Sequence, residues 1–114
     1  MWGRIMYVRT VSFVVKPFQV KRFCDCVDGL ARNVASKQPG FLEHVVLISE
    51  QEKRLITVIS FWKTKAEADR YQEEVFPEAL AKLHSMIDSG PVIQYYVAVV
   101  ADASIAPARV TLAA

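Results

Sequence analysis

Residues Leu55 to Glu67 read Leu-Ile-Thr-Val-Ile-Ser-Phe-Trp-Lys-Thr-Lys-Ala-Glu, and no other stretch limits the fold so tightly. Leu55–Trp62 is rich in β-branched and aromatic residues, which suit a pleated, partly buried surface. Two residues on, Thr64 and Glu67 hold the Thr-x-x-Glu spacing of a capping box, which satisfies free N–H groups at a helix start. A buried strand therefore runs straight into a capped helix, with Trp62 at the join.

The chain on either side repeats this alternation. Ile5–Val15 reads as a first strand, with Tyr7, Val11, Phe13 and Val15 on one face and Met6, Val8, Thr10, Ser12 and Val14 on the other. Pro17 suits the first turn of a helix, where its missing N–H does no harm. Val20, Phe23, Val27, Leu30 and Val34 then form one apolar stripe at helical spacing, opposite Lys21, Arg22, Asp25, Asp28 and Arg32. Gln38-Pro39-Gly40 ends that helix. Phe41–Ser49 is a second strand, apolar on both faces apart from Glu43 and His44, and Glu50–Arg54 is a polar turn into the third. The capped helix carries Ala68, Tyr71 and Val75 on one side. Pro77 kinks or restarts it, because a mid-helix proline removes a hydrogen bond and clashes with the preceding turn. Leu80, Leu83, Met86 and Ile87 continue the stripe. Ser89-Gly90-Pro91 stops it, and Val92–Val100 is a fourth strand with Tyr95 and Tyr96 on opposite faces.

Strand, helix, strand, twice over, is the split βαβ arrangement. The expected fold is α+β, a ferredoxin-like βαββαβ with a four-stranded antiparallel sheet. Residues 1–100 form a single domain, and 101–114 form a small-residue tail or dimer arm. Both helices cover one sheet face. The other face is also apolar and needs a cover, most simply a second sheet from another subunit. Composition agrees: 53% of the 114 residues are hydrophobic, more than so small a domain buries easily.

Several function classes drop out. A net charge of +2, with basic residues interleaved among Asp25 and Asp28, leaves no basic stripe for nucleic acid. No apolar run reaches the ~20 residues of a membrane span, and no signal-peptide pattern opens the chain. Cys24 and Cys26, two apart, point to nearly opposite sides of a helix, so they fit neither a metal nor a redox pair. They read as small helix residues in a reducing compartment, and the expected location is the cytoplasm. No P-loop, dinucleotide fingerprint, calcium loop or nucleophile–base set is present.

Gln38-Pro-Gly-Phe-Leu42 after the first helix and Ser60-Phe-Trp-Lys-Thr64 before the second resemble the antibiotic biosynthesis monooxygenase (ABM) domains of the dimeric α/β-barrel superfamily. The resemblance spans roughly Val8 to Val100. It implies two ferredoxin-like sheets paired face to face in a homodimeric α/β barrel, with a pocket between sheet and helices in each subunit. It further implies an oxidoreductase in which a small aromatic, quinol or polyphenol is oxidised by molecular oxygen without cofactor or metal. The alternative is a non-catalytic homodimer of the same fold that binds a small ligand or is purely structural, and some members of the family instead degrade haem.

Carried over residue by residue, Trp62 matches the tryptophan that contacts substrate in phenol-oxidising members. Their asparagine on the third strand falls at Val58 and their helix tyrosine at Ala68, with Tyr71 three residues on. The haem-degrading members' asparagine, tryptophan and iron-ligating histidine fall at Thr10, Tyr71 and Ala81. The candidate catalytic residues are thus Trp62, Tyr71 and His44, and the candidate substrate-binding residues are Trp62, Tyr71, Phe23 and Val58. Each has a plainer reading. Trp62 can be a core residue at a strand–helix junction, Tyr71 a packing residue with its hydroxyl at a rim, and His44 a half-buried interface histidine. As a site residue, His44 could deprotonate a phenol to the electron-rich phenolate.

Overall fold

A computed structural model describes residues 4–100 of the chain. The strands are β1 (Arg4–Val15), β2 (Phe41–Ile48), β3 (Leu55–Trp62) and β4 (Ile87–Val100). The helices are α1 (Val20–Asn33), α2 (Lys65–Glu74) and α3 (Phe76–Leu83). The strands form one antiparallel sheet in the order β2-β3-β1-β4. This is the expected α+β, ferredoxin-like βαββαβ fold, its second helix split in two. The expected tail over 101–114 lies outside the described residues.

Strand alternation sorts the side chains. Val11, Phe13 and Val15 of β1 and Ile56 and Trp62 of β3 are buried against the helices. From α1 come Phe23, Val27 and Ala31, and from α2 and α3 come Ala68, Tyr71, Phe76, Ala79 and Leu83. The opposite sheet face is uncovered. Register places Met6, Val8, Thr10, Val45, Ile59, Phe61 and Tyr96 there, and Leu47, Leu55 and Val92 are exposed on it. No helix among the described residues is long and apolar enough to cross a membrane.

The threonine half of the cap forms as expected, while Glu67 accepts from the Thr64 hydroxyl and not from its backbone N–H. Thr64 Oγ1 accepts from the Glu67 N–H at 3.2 Å and donates to Glu67 Oε1 at 2.9 Å. Pro77 restarts the helix, lying in the first turn of α3 where no hydrogen bond is lost.

Three expectations are corrected. Helix α1 starts at Val20, not at Pro17, because Phe18 has φ +66, outside helical space, and Lys16 is held by Met86 O. Met86 and Ile87 do not extend the second helix. Met86 is in a 3-10 turn, and Ile87 opens β4 opposite Val15. The Ser89-Gly90-Pro91 signal marks an irregularity within β4, where the register with β1 shifts, and not a boundary. Gly90 is required there: its φ is +99, and a Cβ would sit 2.6 Å from Ser12 O. Backbone pairing with β1 carries the strand through residues that locally favour a turn.

Candidate functional site

A row of polar residues crosses the helix-covered face of an otherwise apolar sheet. His44 of β2 lies opposite Ser60 of β3, Ser60 opposite Arg9 of β1, and Arg9 opposite Tyr95 of β4. A small bulge between Phe41 and Glu43 sets this alignment. The extra residue lets Phe41 and His44 share the inner face although their numbers differ in parity.

Above three members of this row lies a cavity of about 50 Å³. The sheet supplies Arg9, Val11, Phe13, His44, Val58 and Ser60. The helical layer supplies Val27, Leu30, Ala31, Ala35, Tyr71, Phe76, Ala79 and Leu83. A mostly apolar wall with a few convergent polar groups is the usual character of a small-molecule site.

The sequence-predicted residues divide here. Tyr71, His44 and Val58 line the cavity, whereas Trp62 and Phe23 do not. Trp62 is fully buried behind Tyr71, with ring centroids 5.1 Å apart, and stands edge-on to Phe41 at 5.6 Å. Its Nε1–H donates to Ser60 Oγ at 2.9 Å. Phe23 is packed edge-on against Phe13 at 5.2 Å. The positions carried over from haem degradation do not converge within the chain. Thr10 is on the uncovered sheet face, Ala81 is exposed on α3, and Tyr71 is in the cavity.

Arg9 and Ser60 are functional candidates that the sequence reading passed over. Arg9 is only 3% exposed. Its Nε donates to Gln72 Oε1 at 2.7 Å, and its guanidinium lies over Phe76 at 4.2 Å and Tyr71 at 5.2 Å. The ion pairs among the described residues do not include it. A signal was available: Arg9 has the inward parity of Tyr7, Val11 and Phe13, and an arginine at such a position needs a reason.

Burial governs the electrostatics. It pulls the Arg9 guanidinium below its ordinary value, opposed by Tyr71 and Tyr95, but an arginine stays charged. It pushes the Tyr71 phenol up, opposed by Arg9, so the hydroxyl is protonated at neutral pH. It pulls His44 down, opposed by Asp28, so the imidazole is neutral there. Two buried nitrogens in these cavity-lining residues, Arg9 Nη2 and His44 Nε2, have no hydrogen-bond partner. An unpartnered buried polar atom is costly, and two around one cavity mark a place that a polar ligand group would complete. Among the described residues no cluster of three or more His, Cys, Asp or Glu could hold a metal. Burial raises Cys24, followed by a contribution from Asp25, so it is not an activated thiolate.

Comparison with known proteins agrees with this architecture. A provisionally named antibiotic biosynthesis monooxygenase from Bordetella bronchiseptica superposes with TM-score 0.72 at 19% identity, covering 85% of this chain and 100% of that one. Another so named, from Caulobacter crescentus, gives 0.72 at 22%, covering 87% and 94%. SnoaB, a cofactor-independent oxygenase from Streptomyces nogalater solved as an asparagine-to-alanine mutant, gives 0.64 at 15%, covering 85% and 94%. At these identities the likeness is one of fold. No curated protein sequence matches the chain significantly. The antibiotic biosynthesis monooxygenase profile matches residues 6–78, which include most of β1, the capped strand–helix unit and every polar lining residue of the cavity, and the chain belongs to that family.

Proposed function

We propose that the chain is a cofactor-independent monooxygenase that oxidises a small phenol or quinol with molecular oxygen. The observation that carries this reading is His44. Its Nε2 is buried without a partner in a residue that lines an apolar cavity, and burial keeps the imidazole neutral. A neutral histidine can accept the proton of a phenolic hydroxyl, and the apolar walls exclude the water that would otherwise compete. The resulting phenolate is electron-rich enough to reduce oxygen directly. For a quinol, one oxygen atom enters at a ring carbon and the product leaves as a hydroxyquinone. The second oxygen leaves as water with two hydrogens from the substrate, so no external reductant is needed.

Cavity size selects among substrates. A cavity of about 150 Å³ is known to admit a benzene ring, and the one here is about 50 Å³. A single ring requires the cavity to widen, and a polycyclic substrate requires far more widening. Tyr71 and Val58 form part of the wall, and Trp62 holds Tyr71 in place from behind. The uncovered apolar sheet face supports a homodimer with sheets paired face to face, and the two unpaired cysteines suit a reducing cytoplasm.

The second reading is a non-catalytic homodimer that binds a small aromatic ligand. Val58 favours it, since it lines the cavity at the position where the resemblance places a substrate-binding asparagine. Oxygen uptake by metal-free protein decides between the two, using hydroquinone, a naphthoquinol and anthrone. The oxygenase reading expects saturable uptake strongest with the single-ring quinol and lost in His44→Phe. A rate equal to buffer across all three leaves the binding reading.

A further inference from the structure

The arginine beneath the cavity is unlike the other charged residues of the chain. Arg9 is 3% exposed, whereas each ion pair among the described residues has both partners well exposed. A buried charge without an opposite charge is strongly unfavourable, so its retention calls for a compensating group. Part of the compensation is visible. Gln72 Oε1 accepts from Nε, and the rings of Phe76 and Tyr71 lie within cation–π distance. These contacts also fix the guanidinium, leaving Nη2 without a partner in a residue that lines the cavity.

We infer that Arg9 is an oxyanion-binding residue, and that the ligand of this cavity is an aromatic ring carrying an anionic oxygen held by the Arg9 guanidinium. A planar, fixed guanidinium suits a flat oxyanion better than a flexible ammonium does. The surroundings add no competing carboxylate. Facing Arg9 are Ser60 from β3, Tyr95 from β4, and Tyr71 and Gln72 from α2, with His44 one strand further across the sheet, opposite Ser60. His44 would take the proton and Arg9 the oxyanion left behind, which divides the two orphaned nitrogens between two tasks. This deepens the oxygenase reading of the same site, but it concerns binding and is tested without oxygen chemistry.

A phenolate and an aromatic carboxylate share the relevant chemistry, and two arms of one experiment separate them. In the first, 4-nitrophenol is bound and its ionisation followed by visible absorbance across pH. The bound dye should ionise at least tenfold more readily than free dye. Arg9→Gln should abolish or reverse this shift, because an apolar cavity alone disfavours the anion, and Arg9→Lys should restore part of it. In the second, benzoate should bind at least tenfold more tightly than benzamide by calorimetry. A shift in the first arm identifies a phenolate, and preference in the second alone identifies a carboxylate. If the dye ionises at or above its free value and benzoate gains nothing, or if none of these probes binds, the inference is overturned. Should Arg9→Gln fail to fold, the wild-type shift and the Arg9→Lys comparison still decide. Oxygen uptake could persist with no anion preference, or anion binding with no uptake, so the two readings fail separately.

Discussion

Trp62→Phe distinguishes a wall of the core from a wall of the site. Trp62 has no exposed surface, packs on Phe41 and Tyr71, and donates its Nε1–H to Ser60 Oγ at 2.9 Å. Phenylalanine keeps a ring but removes roughly 35 Å³, which at about 24 cal/mol per Å³ costs about 1 kcal/mol. The lost hydrogen bond removes about 1 kcal/mol net, and imperfect ring packing adds about 0.5 kcal/mol. The expected loss is therefore about 2–3 kcal/mol, which for a domain of this size lowers Tm by roughly 10–20 °C. Urea denaturation at fixed protomer concentration gives the comparison, because an associating chain has concentration-dependent stability. Affinity for a small phenol, measured on the folded variant, should fall only modestly, since Trp62 does not line the cavity. A stability loss below about 1 kcal/mol together with a tenfold or greater loss of affinity would refute this placement of Trp62.

Other perturbations test separate parts of the account. Burial holds His44 below the ordinary histidine value of 6.5, so the unfolded chain takes up a proton first as pH falls. The His44 contribution is fully present above that value and is lost as pH drops through the folded-state value, so urea midpoints should decline below about pH 6.5 less steeply in His44→Phe than in wild type. Ile59→Lys places a charge in the middle of the uncovered sheet face, opposite Thr10 and Val45. Light scattering at micromolar concentration should show a dimer for wild type and a monomer for this variant, and a monomeric wild type would remove the case for paired sheets. Thr64→Ala deletes the acceptor of the Glu67 N–H and should cost about 1 kcal/mol by chemical denaturation. Gly40→Ala should cost about 1–3 kcal/mol by the same measurement, because φ is +81 and the new Cβ would collide with the Glu67 side chain.

The fold was largely legible because its signals are local and agree with one another. The β-branched run at Leu55–Trp62 became β3 with the same bounds, and the Thr64 cap and the Pro77 restart formed as chemistry at those positions requires. The misreadings came where a local signal competed with pairing or packing. Pro17 suits a helix start, but the positive φ of Phe18 delays the helix to Val20. Gly90-Pro91 favours a stop, yet pairing with β1 carries β4 past it. In the site, Tyr71, Val58 and His44 were within reach of sequence reasoning. Arg9 was hidden in plain view by its apolar neighbours.

Alone, the sequence determined the order of elements, the two faces of β1, the apolar stripe of α1, and the capped strand–helix unit around Trp62. These follow from backbone propensity, side-chain period and turn chemistry, all of which act over a few residues. Only the tertiary structure decided which polar groups meet. The meeting of His44, Ser60 and Arg9 depends on the register between three strands and on one bulge near Phe41, and a one-residue slip would send a side chain to the opposite face. The same long-range pairing set Trp62 behind the cavity and put the buried arginine beneath it.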